Sequence, residues 1–140
     1  MAKLNDAARR LIESGALGHL VTLNEDGSPQ VCVVWVGIDG DELIAGHLDA
    51  RQRKLANIRR DPRVSLSFEA NYLNEVGTRD HLVVHGTARI TEGGAPELLQ
   101  RLAKTYIGPD AVYPPNPDAP PGFITHITPT RITGVGDWAA

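Results

Sequence analysis

The strongest constraint on the fold of this chain is the way tight turn signals punctuate short β-rich runs. Asn24-Glu-Asp-Gly-Ser-Pro29 and Asp39-Gly40-Asp41 gather residues that favour chain reversal. Around them lie Gly18–Leu23, then residues 30–38 with Val31, Val33, Val34, Trp35 and Val36, then Glu42–His47. Runs this short, joined this tightly, pair with their sequence neighbours as antiparallel hairpins.

The remainder extends this pattern. Residues 5–14 read as an amphipathic helix with Leu4, Ala8, Leu11 and Ile12 on its apolar stripe, ended by Gly15 and Gly18. Residues 63–69 alternate as a half-buried strand, and 71–80 are polar enough to read as a loop. Residues 81–91 form a long strand with Leu82, Val84, Gly86, Ala88 and Ile90 on one face. Pro96 suits the first turn of a helix reaching Ile107, with Leu98, Leu99, Leu102 and Tyr106 facing inward. Five prolines in residues 113–122 dictate an extended connector, read either as a stiff surface loop or as a lid over a ligand. Two last strands, 123–127 and 131–135, flank Thr128-Pro129. The expectation is one domain over 1–140: mainly β, six or seven mostly antiparallel strands, with peripheral helices, closed into a small or split β-barrel.

Composition narrows the function classes. No apolar run approaches the ~20 residues of a membrane span. The start lacks a secretory profile, and a single cysteine, Cys32, allows no intrachain disulfide, so a soluble cytoplasmic protein is expected. A net charge of -3 offers no general attraction to nucleic acid. Yet residues 51–63 hold six Arg or Lys against one acid. A compact basic spot on an acidic body suits a small anion, although a solvated helix face is the other reading.

The placement of those cations is informative. Asp49 reads as an N-cap, with Gln52 completing a capping box. Arg51 and Arg53 then fall in the first turn, with Lys54 just behind. Cations there oppose the helix dipole unless an anion such as phosphate sits at the terminus. Trp35 is either core or the wall of a flat heteroaromatic site. His81 and His85 lie four apart in a strand, roughly 13 Å, too far to share a metal. His47 ends the strand that leads into the basic helix, where its imidazole could donate to a phosphate or ring oxygen. Cys32 has no partner in sequence and reads as an inert buried thiol. With no Walker loop, GxGxxG, GxSxG or CxxC pair, any chemistry must come largely from a bound cofactor.

These segments together resemble a known family. The carrying residues are Asp26-Gly-Ser-Pro-Gln-Val31, Val33-Val-Trp35, Arg53-Lys54-x-x-Asn57-Ile58-x-x-Asp61-Pro62-Arg63-Val64, His85-Gly86-Thr87-Ala88, and Thr128-Pro-Thr-Arg-Ile132-x-Gly134. They resemble the pyridoxamine 5′-phosphate oxidase-like split β-barrel superfamily, which binds flavins and deazaflavins. Within it they most resemble the branch that uses the deazaflavin coenzyme F420. The resemblance implies an antiparallel split β-barrel of the FMN-binding type with two to three peripheral helices, and a homodimer with cofactor sites at the interface. By the same resemblance, Arg53 and Lys54 match the phosphate-binding pair, with Arg51 an extra contact. Gly46 and His47 match the strand end beside the phosphate. Gln30, Val33, Val34 and Trp35 match the strand lining the ring, and Trp138 either reaches the partner's site or is an exposed tail aromatic. Arg59, Arg60 and Arg63 are either cations for the coenzyme's oligoglutamate tail or ordinary exposed helix-end residues. The implied activity is hydride transfer between reduced F420 and a small unsaturated or heteroaromatic substrate. The alternatives are an FMN-dependent oxidase or reductase, and a non-catalytic cofactor- or haem-binding protein. No catalytic acid is identifiable, and no metal site is expected.

Overall fold

A computed structural model describes residues 2–138. Seven antiparallel strands form one sheet in the order β2-β1-β5-β6-β7-β4-β3. They are β1 Gly18–Leu23, β2 Pro29–Val34, β3 Gly37–Asp39, β4 Glu42–His47, β5 Arg63–Leu73, β6 Arg79–Glu92 and β7 Phe123–Val135. Three helices accompany them: α1 Asp6–Glu13, α2 Arg53–Arg60 and α3 Ala95–Tyr106.

The sheet's two outer strands, β2 and β3, are consecutive in sequence and joined only by Trp35 and Val36. Three residue steps span at most roughly 11 Å. The sheet must therefore curl until its edges nearly meet, which makes it a barrel split along one seam, with Trp35 in the seam. Residues 30–38 are thus two strands, because the chain has to leave one edge to join the other.

The barrel interior is filled by Leu20, Leu43, Leu66, Phe68, Leu82, Val84 and Ile127, all essentially buried. α1 packs Ala8, Leu11 and Ile12 against this core, and its N-cap Asn5 accepts from the Ala8 N–H at 2.9 Å. A satellite cluster under α3 joins Leu98 and Leu102 to Ile44, with Trp35, Tyr106 and Ile124 beside it. β4 is consequently covered on both faces, and its Leu43-Ile44-Ala45 run is apolar without alternation.

Three further expectations need correction. β5 runs on to Leu73 and β6 begins at Arg79, so 71–80 is mostly hairpin. Its tight turn is held by Asn74, whose Oδ1 accepts from the N–H groups of Val76 and Thr78. β7 is one strand, and Thr128-Pro129 does not break it. A bulge facing His85 and Gly86 accommodates the proline, since His85 pairs with Arg131 but Gly86 with Pro129. Gly86 is required there because a Cβ would lie 2.4 Å from the Thr128 carbonyl oxygen. Last, residues 113–122 are pinned at both ends. Gln100 of α3 donates to the Ala111 carbonyl and accepts from the Tyr113 N–H, both at 2.9 Å. Ala95 N–H donates to Pro121 O, and Gly93 N–H to Gly122 O. The backbone is a strap stitched to both ends of α3. No helix among the described residues is long and apolar enough to cross a membrane.

Candidate functional site

A cleft of about 170 Å³ opens beside the seam, lined by Val33, Val34, Trp35, Gly46, Lys54, Leu99 and Tyr113. Five of these seven are sequence candidates, brought together from β2, the seam, β4 and α2. Leu99 and Tyr113 were missed. Leu99 read as core of its helix, and it reaches the cleft because α3 packs closely on Gly46, where a Cβ would lie 3.1 Å from Leu99 Cγ. Tyr113 stands in an irregular segment, where periodicity says nothing about which way a side chain faces.

The start of α2 departs from expectation in a revealing way. Gln52, not Asp49, occupies the N-cap, and no side chain caps the helix. Asp49 instead closes a local turn, its Oδ1 accepting from the Arg51 N–H at 2.8 Å while its carboxylate pairs with the Arg51 guanidinium at 3.2 Å. Arg51 therefore precedes the helix and projects into solvent, its side chain 90% exposed. The backbone N–H groups of Arg53 and Lys54 have no acceptor among the described residues, and the first turn holds no acid. These are the orphan donors expected of an uncapped helix.

Lys54 is the unusual member. It is 8% exposed, has no ion pair among the described residues, and meets only the Cys32 thiol as a side-chain partner. Burial pulls its pKa down, and the thiol partly opposes that shift. Cys32, expected to be partnerless, is thus paired across the β2–α2 contact. The buried Gln52 Oε1 also lacks a partner. An uncompensated buried cation costs folding free energy, so a chain that keeps one at an uncapped helix start is built to receive an anion there.

The other candidates separate. Arg53, one residue along, points to the far side of α2 and lines a groove of about 540 Å³ with Asn24, Glu25, Asp26, Ser28, Asn57 and Arg60. Gln30 accepts from Thr22 Oγ1 at 3.0 Å, and Thr22 in turn accepts from Asn57 Nδ2 at 3.0 Å, a buried relay that fixes α2 to the barrel. His47 is 2% exposed and its Nε2 meets Thr125 Oγ1 at 2.8 Å. Burial, aided by the nearby Lys54 charge, lowers its pKa to about 3. Its imidazole is therefore neutral packing, so only its backbone can adjoin a ligand. Trp138 is neither an exposed tail aromatic nor free to reach another subunit. It is buried against its own chain and donates to the His81 carbonyl at 2.8 Å.

The cations expected to meet an acidic tail are also committed. Arg63 pairs with Asp61 at 2.7 Å, Arg60 donates to the Leu23 carbonyl, and Arg59 lies 5.3 Å over the Phe123 ring. The groove's own Glu25 and Asp26 would repel carboxylates. His81 and His85 do not meet, and His85 Nδ1 instead pairs with Ser65 Oγ at 2.9 Å.

Comparison with known proteins agrees with this geometry. The family described as pyridoxamine 5′-phosphate oxidase matches residues 4–136. A solved structure titled F420 reductase is 28% identical, with 89% of this chain and 94% of that one covered and a TM-score of 0.72. The conserved hypothetical protein Rv2991 of Mycobacterium tuberculosis is 25% identical over 96% of this chain and 87% of its own, with a TM-score of 0.70. HupZ of Group A Streptococcus is 18% identical over 97% of this chain and 98% of its own, at a TM-score of 0.64, and attests the fold alone.

Proposed function

From the premise that the chain belongs to the pyridoxamine 5′-phosphate oxidase family, we propose that it is an F420-dependent oxidoreductase. It would transfer hydride between the reduced deazaflavin and a small unsaturated or heteroaromatic substrate. The observation that carries this reading is the buried, carboxylate-free Lys54 ammonium beside the unoccupied N–H groups of the α2 start. A phosphate group fits that donor set: Lys54 and two backbone N–H groups would hold it, with Arg53 adding charge from the neighbouring groove.

The rest of the cleft suits a flat ring. Val33 and Val34 offer strand backbone and aliphatic surface, Trp35 an aromatic edge, and Leu99 an apolar wall that excludes water. The residues bind and orient, and the cofactor supplies the redox chemistry. No carboxylic acid or imidazole lines the cleft, so the protein's contribution is positional.

The reading includes a homodimer. Val31 and Val33 point outward from β2, 59% and 55% exposed, and Val33 also borders the cleft. A second copy covering this apolar edge would finish the ring site. FMN is the second reading, favoured by the engagement of Arg59, Arg60 and Arg63 within the fold, which leaves few cations for an oligoglutamate tail. Fluorescence titration with F420 and FMN in parallel decides between them. Micromolar or tighter binding of F420 alone, with turnover of a reducible acceptor, supports the proposal. Binding of FMN alone moves the assignment to the flavin, and binding of neither overturns it.

A further inference from the structure

The cleft is too small for the ligand its walls describe. Pockets that enclose drug-sized molecules begin at roughly 300 Å³, against about 170 Å³ here, and a tricyclic ring is of that size. Something must move, and the lining offers one choice. Val33, Val34 and Gly46 are held by ladder hydrogen bonds of β2 with β1 and of β4 with β7. Lys54 and Leu99 are buried on helices. Trp35 is stacked parallel on Tyr106, centroids 5.3 Å apart. Tyr113 alone stands outside regular structure. Its backbone is fixed by Gln100, its ring rests tilted on Trp35 at 5.2 Å and 58°, and its hydroxyl has no hydrogen-bond partner among the described residues. Its ring can therefore turn about its own side-chain torsions without unpinning the strap.

We propose that Tyr113 is the gate of the cleft: its ring closes the space over Trp35, and a planar cofactor ring enters only when the phenol swings off the indole. This inference rests on the cofactor reading above. A gate that must open first lowers the apparent association rate by the fraction of time it is open. Such a device favours thin, planar ligands over bulky ones, because the swing of one side chain frees a slot and not a chamber.

The test is stopped-flow association of F420 and of FMN, followed by cofactor emission, with wild type, Tyr113→Phe and Tyr113→Ala. The gate predicts association about tenfold faster for Tyr113→Ala, with Tyr113→Phe close to wild type because the ring is what blocks. Acrylamide quenching of tryptophan emission in the unliganded proteins should increase in Tyr113→Ala alone, and this also confirms that the variant folds. Association unchanged or slower in a folded Tyr113→Ala overturns the gate while leaving the cofactor reading intact. No binding of either cofactor to wild type and to Tyr113→Ala overturns both.

Discussion

The Trp35 indole and the Tyr106 phenol lie parallel, 5.3 Å apart and 6° from coplanar, across the seam where the barrel's two edges meet. The Tyr106 hydroxyl donates to the Ala16 carbonyl at 2.8 Å and accepts from the Val36 N–H at 3.0 Å. One side chain of α3 therefore ties the linker before β1 to the link between β2 and β3. Because the seam residue also lines the cleft, the geometry of the site depends on this clamp.

Replacing Tyr106 with Phe keeps the stack and removes the hydroxyl. The Val36 N–H, on a residue 2% exposed, is then left without its acceptor. The expected cost is about 1–3 kcal/mol, a fall of roughly 2–8 °C in the thermal midpoint. A melting curve unchanged from wild type would show that the hydroxyl does not hold the seam.

Much of this arrangement can be read from the chain before it is folded, and the failures have physical causes. α1 and the inward face of β6 follow from apolar periodicity, which is local. The seam does not: residues 30–38 look like one strand because β-branched residues continue through Trp35 and Val36 on either side of a long-range topological switch. The capping box at Asp49 failed because an Asp can equally close a turn with the residue two along. The strand reading placed Lys54 beside Val33–Trp35 only through family resemblance. Its pairing with Cys32 across two elements, and the presence of Leu99 and Tyr113 in the cleft, require the tertiary fold.

His47 gives a pH signature. Its folded pKa, about 3, lies below the unfolded value near 6.5. As pH falls below about 6.5 the unfolded chain gains a proton that the buried imidazole refuses, so stability is lost down to about pH 3. The slope is about 1.4 kcal/mol per pH unit over that window. Urea denaturation at pH 7, 5 and 4 should show a smaller acid loss in His47→Gln than in wild type, by that amount. Equal acid losses would mean that His47 is protonated inside the fold.

The two exposed arginines that flank α2 should behave differently. Arg53 lines an open groove and carries no ion pair among the described residues, so Arg53→Ala should weaken binding of the phosphorylated cofactor about tenfold and reduce its salt dependence. Arg63 is occupied by Asp61, and Arg63→Ala should leave the affinity within about twofold. Equal losses in both variants would show that the basic segment acts as a diffuse charge and not as a site.

The central claim is that Lys54 is kept, at a cost in stability, to hold an anion. The variant that tests it most directly is Lys54→Met, similar in length and apolar, measured for both thermal midpoint and cofactor dissociation constant. Removing a buried unpaired charge should raise the midpoint by a few degrees, about 1 kcal/mol or more, while weakening cofactor binding at least about tenfold. A lower midpoint with unchanged cofactor affinity would contradict the account and make Lys54 a structural residue whose ammonium serves the fold.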